Sequence, residues 1–204
     1  MIKETNYDKV FQSQEHFRLI MDSMANPGKL NRLKADIHGI SPLNNASILI
    51  GFALMNSDVT FFIQDHDEDI TDYFIDNTSA KPASAEKADF LYLSGKKANI
   101  GAVEIAKEGS LEYPEKGAFL VLEAERISEQ ILEGSVELVL KGPGVNGSKK
   151  VFVLGVSPEL LQIVSLKNKE YPLGVDTLLT DEEGQLLCLP RSNQFFMPNN
   201  LIKI

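Results

Sequence analysis

Asp176 and Arg191 are the two residues of this chain whose types and placement most invite chemistry. They stand at the open ends of a predicted hairpin. Tyr171-Pro-Leu-Gly-Val-Asp176 leads into an apolar strand over 175–180, Asp181-Glu-Glu-Gly184 makes an acidic turn, and a second apolar strand over 185–189 runs into Leu189-Pro-Arg-Ser192. If the two strands pair, a carboxylate and a guanidinium meet beside a backbone fixed by prolines, with Pro172 and Gly174 at the entrance. A planar guanidinium suits bidentate binding of a carboxylate or a phosphate group. The pair therefore anchors a small anionic ligand, holds a partner subunit, or pins the hairpin, and residue types alone leave all three open.

Other candidates are weaker. Gly142-Pro143-Gly144 follows a predicted strand and invites a phosphate-loop reading, but Pro143 removes an N–H donor and neither a Walker loop nor GxGxxG follows. A tight strand-to-loop corner is the plainer account. Asp65-His66-Asp67-Glu68-Asp69 has metal-ligand types, yet consecutive residues do not converge on one ion, so no metal is expected. Acidic residues there instead complement the dipole of a helix predicted over 67–77. Cys188, in the run Leu186–Leu189, reads as a buried thiol, and a single cysteine excludes an internal disulfide or a cysteine metal cluster. The histidines at 16, 38 and 66 are dispersed, and His16 and Arg18 flank a predicted helix at rim positions. GxSxG, HExxH and a cysteine–histidine pairing are all missing from the sequence, so binding or scaffolding outranks catalysis on the residues alone.

The elements that must position these residues are legible in outline. A helix is predicted over 7–26, with Phe17, Ile20, Met21 and Met24 on its inner face, Ser13 as an alternative start, and a stop at Asn26-Pro27-Gly28. A largely buried helix runs from Asn44 or Asn45 to Met55, and a strand follows over 59–64. The helix over 67–77 turns Ile70, Tyr73 and Phe74 inward. A strand over 89–93, a modest helix over 99–107 and a strand over 118–124 come next; the last is continuously apolar, as a strand covered on both faces would be. Strands over 135–141 and 149–154 precede a helix opened by Ser157-Pro158-Glu159. The interleaving predicts one α/β domain over residues 1–204, with a mixed sheet of about seven strands flanked by helices.

Composition narrows the function. The chain has 204 residues, enough for one domain with a full core. A net charge of -9 argues against nucleic acid and against an anionic membrane surface as partners. The longest apolar run, 46–55, is too short to span a bilayer, and the first residues lack a signal-peptide layout, which predicts a cytoplasmic protein.

Several segments in order resemble a known family. Phe17-Arg-Leu-Ile-Met-Asp-Ser-Met-Ala-Asn-Pro-Gly28 matches a pattern FRxxMDxMxxPG; Ala88-Asp-Phe90, Lys141-Gly-Pro-Gly-Val145, Tyr171-Pro-Leu-Gly-Val-Asp176 and Leu189-Pro-Arg191 follow. Together they resemble the PhnH family, the H subunits of bacterial carbon–phosphorus lyase. The resemblance implies a fold related to the large domain of pyridoxal-phosphate-dependent transferases, without that cofactor or its lysine and with no other cofactor. It implies partnership with G, I and J subunits, a homodimer when isolated, and a place in forming a ribosyl phosphonate triphosphate from ATP and phosphonate. The candidate ligand or interface residues are then Arg191, Asp176, Gly142, Pro143, Gly144 and Arg18. The alternative is a free-standing transferase-fold enzyme acting on a small anionic substrate.

Overall fold

The computed structural model describes residues 7–35, 37, 43–66, 68–97 and 99–198. The first helix, α1 (Phe11–Ala25), begins neither at Tyr7 nor at Ser13. The Asp8 carboxylate accepts the N–H groups of Val10 and Phe11 at 2.8 and 3.0 Å and so satisfies the first turn. The stop at Asn26-Pro27-Gly28 is as predicted, with Gly28 at φ 90°. The inner face differs from the expected one. His16, Ile20 and Ser23 are buried, whereas Phe17 and Met21 are 45% and 51% exposed. His16 thus leaves the predicted rim for the interior. It is tolerated there because its Nδ1 lies 3.0 Å from the Tyr7 hydroxyl and its Nε2 3.2 Å from the Lys34 carbonyl.

The chain continues through β1 (Asn31–Arg32) and α2 (Asn45–Leu54), whose cap is the Asn44 side chain accepting the Ser47 N–H at 2.9 Å. β2 (Thr60–Ile63), α3 (Glu68–Thr78), β3 (Lys81–Pro82) and β4 (Phe90–Ser94) follow. α3 buries Ile70, Tyr73 and Phe74 as its periodicity predicts. Then come α4 (Ile100–Ile105), β5 (Phe119–Glu123), β6 (Arg126–Ser128), β7 (Val136–Lys141) and β8 (Lys149–Leu154). α5 (Pro158–Lys167) is capped by Ser157, and β9 (Asp176–Thr180), β10 (Gln185–Leu189) and β11 (Gln194–Phe196) complete the described chain.

Seven strands form one mixed sheet in the order β1-β10-β9-β5-β4-β2-β3. From β9 to β3 all neighbours are parallel, while β10 and β1 run antiparallel at one edge. Both outermost strands, β1 and β3, are two residues long. β5 sits near the middle, as its unbroken apolar run requires, with Leu120, Val121 and Leu122 fully buried. The strands predicted over 135–141 and 149–154 do not join this sheet: β7 and β8 pair with β11 and β6 in a separate antiparallel sheet. β6 and β11 have three residues each, too few to show a period in the sequence.

Two apolar layers flank the main sheet. On one face Phe61, Ile63, Leu178 and Cys188 pack with Ile20 of α1, Ile48 of α2 and Phe74 of α3. On the other, Leu120, Leu122, Leu179 and Leu187 pack with Val103 of α4, Leu160 and Leu161 of α5, and Leu138, Leu140, Val151 and Val153 of the small sheet. Alternation along β7 aims Val136, Leu138 and Leu140 into this shared layer. No described helix is long and apolar enough to cross a membrane.

Candidate functional site

The predicted hairpin forms as β9 and β10, with Leu189 opposite Thr177, so the chain beyond β10 returns to the start of β9. There Asp176 and Arg191 meet. The Arg191 backbone N–H donates to Asp176 Oδ1 at 2.8 Å, and its Nε and Nη2 donate to Oδ2 at 3.0 and 2.6 Å. Nη1 donates to the Pro114 carbonyl at 2.6 Å. The two side chains are only 11% and 12% exposed. Each guanidinium nitrogen thus spends a donor on the protein, and the carboxylate is enclosed by its own partner.

The surrounding segments exist to admit this pair. A Cβ on Gly117 would overlap the Arg191 guanidinium and the Gly174 carbonyl, so a residue larger than glycine there displaces the pair. Asn168, just after α5, accepts the Val175 N–H at 2.8 Å and donates to the Val175 carbonyl at 3.0 Å. The Gly174 N–H donates to the Glu108 carbonyl at 3.0 Å. Tyr171-Pro-Leu-Gly-Val-Asp176 is therefore tied to both α5 and the loop before β5.

Gly142-Pro143-Gly144 turns the exposed corner between β7 and β8. Asn193, two residues past Arg191, donates from Nδ2 to the Pro143 carbonyl at 2.9 Å. A Cβ on Gly144 would strike the Ala25 carbonyl at the end of α1. A cavity of about 240 Å³ lies here, lined by Lys29 and Lys149 among others. Both lysines are already paired, with Asp22 and Glu129, each at 2.7 Å. Arg18 stands exposed on α1 and makes no hydrogen bond or ion pair among the described residues. The structure brings Asp176 to Arg191, sets the 142–144 corner against Asn193, and joins Arg18 to neither.

Sequence reasoning missed polar joints elsewhere. Asp181, read as part of an acidic turn, is 1% exposed just past the end of β9. Its Oδ2 accepts the Ile127 N–H at 2.9 Å, and its Oδ1 accepts those of Glu183 and Gln185 at 3.0 and 2.9 Å. Burial raises its pKa, and the three amide bonds oppose that shift without cancelling it. Glu123, at the end of β5, accepts the Asn44 N–H at 2.7 Å, and burial likewise raises its pKa. Asn44 Nδ2 and Ser47 Oγ contact Thr180 Oγ1 at 3.1 and 2.8 Å. Open α/β sheets place ligands at the carboxyl ends of their parallel strands. Here the ends of β5 and β9 are occupied by the start of α2.

Asp89 makes the matching joint at the opposite ends. Its Oδ2 accepts the Thr60 N–H and hydroxyl, both at 2.7 Å, and Lys107 reaches its Oδ1 at 2.5 Å. Burial pushes the carboxyl up, but the bonds from Lys107 and Thr60 prevail and hold its pKa below the ordinary value. Cys188 is fully buried, and burial pushes its thiol far up, which makes it inert at neutral pH. Among the described residues no group of three or more His, Cys, Asp or Glu side chains is arranged to hold a metal. His38 lies outside the described residues.

These features define a class: an α/β protein whose buried and half-buried carboxylates Asp89, Glu123, Asp176 and Asp181 hold its own loops and element ends. Within that class the chain belongs to the PhnH family of bacterial phosphonate metabolism proteins, which it matches over residues 5–195. It is 27% identical over 189 residues, covering 92% of both chains, to the alpha-D-ribose 1-methylphosphonate 5-triphosphate synthase subunit PhnH of Rhizobium meliloti (strain 1021). It is 28% identical over 181 residues to the putative C-P lyase subunit protein HtxG of Stutzerimonas stutzeri, covering 89% of this chain and 84% of that one.

Proposed function

We propose that the chain is an accessory subunit of a bacterial carbon–phosphorus lyase assembly, needed for alkylphosphonate breakdown and contributing shape rather than reacting groups. The observation that carries it is the fate of Arg191: the side chain best suited to bind a phosphonate is spent on Asp176 and on the Pro114 carbonyl. The relatives' names support the same reading, one as a triphosphate synthase subunit and one as a putative C-P lyase subunit. In this reading the chain acts in the cytoplasm at the step that joins phosphonate to the ribose of ATP. Its partners are the G, I and J subunits, and alone it forms a homodimer.

One domain spans the chain in this proposal, supported by an apolar layer that draws residues from both sheets. A kinship with the large domain of pyridoxal-phosphate-dependent transferases is part of the proposal, favoured by the parallel run from β9 to β3. Arg191, Asp176 and the 142–144 corner are assigned to shaping the subunit, and Arg18 to its exposed surface. The test is co-purification with tagged G, I and J subunits from cells grown on methylphosphonate. A chain that stays alone and turns over a small anionic substrate would establish the free-standing enzyme instead.

A further inference from the structure

We propose that the outer edge of β2, beside α3, receives an extended basic segment of a partner protein as an added strand. This rests on reading the chain as a subunit and names the chemistry of one partner. β2 is laddered to β4 over Phe61–Ile63, but on its other side β3 pairs only with Thr60 and Phe61. The last bond on that side is from the Ala83 N–H to the Phe61 carbonyl at 2.8 Å. Strand periodicity of two then makes Ile63 the next residue whose N–H faces outward, one step beyond the end of β3; its carbonyl turns into the 3-10 turn Gln64–His66 that ends the strand. A backbone edge of this kind is a template for another strand.

The edge opens into a cavity of about 420 Å³, lined by Phe61, Phe62 and Ile63 of β2, Glu68, Thr71 and Asp72 of α3, and Pro82 and Ala83. Volumes of this order suit ligand-sized insertions. The charge on its rim selects the occupant. Glu68, Asp72 and Asp76 recur at four-residue spacing along exposed positions of α3, and α3 carries no lysine or arginine. Like charges at that spacing weaken a helix. Of these three, Glu68 alone stands in the N-terminal turn, where with Asp69 it gains from the dipole. Glu68 and Asp72 make no hydrogen bond or ion pair among the described residues. The line of carboxylates is therefore unfavourable to the isolated helix and complementary to a segment bearing lysine or arginine at alternate positions.

The experiment uses the purified chain and two synthetic peptides, Lys-Val-Lys-Val-Lys-Val and Glu-Val-Glu-Val-Glu-Val. Amide exchange at Ile63 should slow at least ~10-fold with the basic peptide and stay unchanged with the acidic one. Glu68→Lys with Asp72→Lys, both at exposed positions, should weaken binding of the basic peptide ~10-fold or more while thermal unfolding stays near that of the parent. No protection at Ile63, equal protection by both peptides, or binding indifferent to the charge reversal overturns the proposal. Protection that rises with protein concentration in the absence of peptide assigns the groove to a second copy and overturns it as well. If the parent co-purifies with its partners and the reversed variant does so equally, the groove is refuted and the subunit reading survives. If the parent joins no partner although the peptide results hold, the subunit reading is what fails.

Discussion

β9 begins on a buried aspartate, Asp176, and runs directly into another, Asp181, and the two are satisfied by opposite means. Asp176 faces a guanidinium and one backbone amide, whereas Asp181 faces three backbone amides and no cation. The difference follows from what each end must join. At Asp176 three separated segments converge, the strand itself, the chain after β10 and the loop at Pro114, and a long side chain with several donors bridges them. At Asp181 the donors lie in its own turn and in β6, so short bonds suffice. Buried charge with a cation is indispensable once made, because losing one member strands the other. Buried charge with amides alone is held by oriented dipoles, and here burial still lifts its pKa.

The largest effect expected from this contrast is at the cation end. Arg191→Ala should lower unfolding free energy by about 3–5 kcal/mol, measured by chemical denaturation, because Asp176 is left buried and unpaired. Replacing both members, Asp176→Leu with Arg191→Met, should cost clearly less than the single change. A double variant as damaged as the single one would break the idea that stranded charge is the penalty. Asp181→Ala should cost less, about 1–3 kcal/mol, the range for buried donors left without an acceptor. If it matches Arg191→Ala, the two ends are equivalent and the contrast fails.

Gly117→Val attacks the cation end by steric overlap with the guanidinium while both charged residues stay in the sequence, and overpacking there should cost about 1–3 kcal/mol in the same assay. The smallest expected effect comes from a buried group held by neutral partners, Tyr7 and the Lys34 carbonyl. Burial lowers the pKa of His16, so the unfolded chain takes up the proton first as pH falls below the ordinary histidine value of about 6.5. Stability present above that value should therefore decline on acidification from pH ~7.5 to ~5.5, and His16→Gln should flatten this part of the profile. A profile unchanged by the substitution would mean that His16 takes up its proton equally in the folded and the unfolded chain, and would overturn the assignment.

How far the sequence foretold this molecule depends on how locally each feature is determined. The β9–β10 hairpin, the α2 and α5 caps and the central place of β5 were legible because a turn, a cap or an unbroken apolar run lies within a few residues. The Asp176–Arg191 pairing followed from the hairpin. The Pro114 carbonyl and the gap at Gly117 did not, since nothing near Arg191 in the chain announces them. His16 was misplaced because residues 16, 20 and 23 obey helical spacing as well as the more apolar set at 17, 20, 21 and 24. What decides between them is Tyr7 and the Lys34 carbonyl, contacts across space. The burial of Asp181 was out of reach for the same reason: one of its donors, Ile127, is 54 residues away. The small sheet escaped because two of its strands are too short to carry a pattern.

The brevity of β1 and β3 has a consequence for how this chain behaves in a crowded cell. Lys81 and Ala83 both donate their N–H groups toward β2, so the nitrogen of Pro82, which has no hydrogen, faces the outside of the sheet. A copy arriving at that edge finds no donor at Pro82 and a charged lysine beside it; one arriving at the other finds a strand of two residues. Neither edge offers a surface that regenerates itself on the newcomer. Edge-to-edge stacking of copies is thus disfavoured at β1 and β3, which leaves the stretch of β2 past the end of β3 as the place where a different chain can pair.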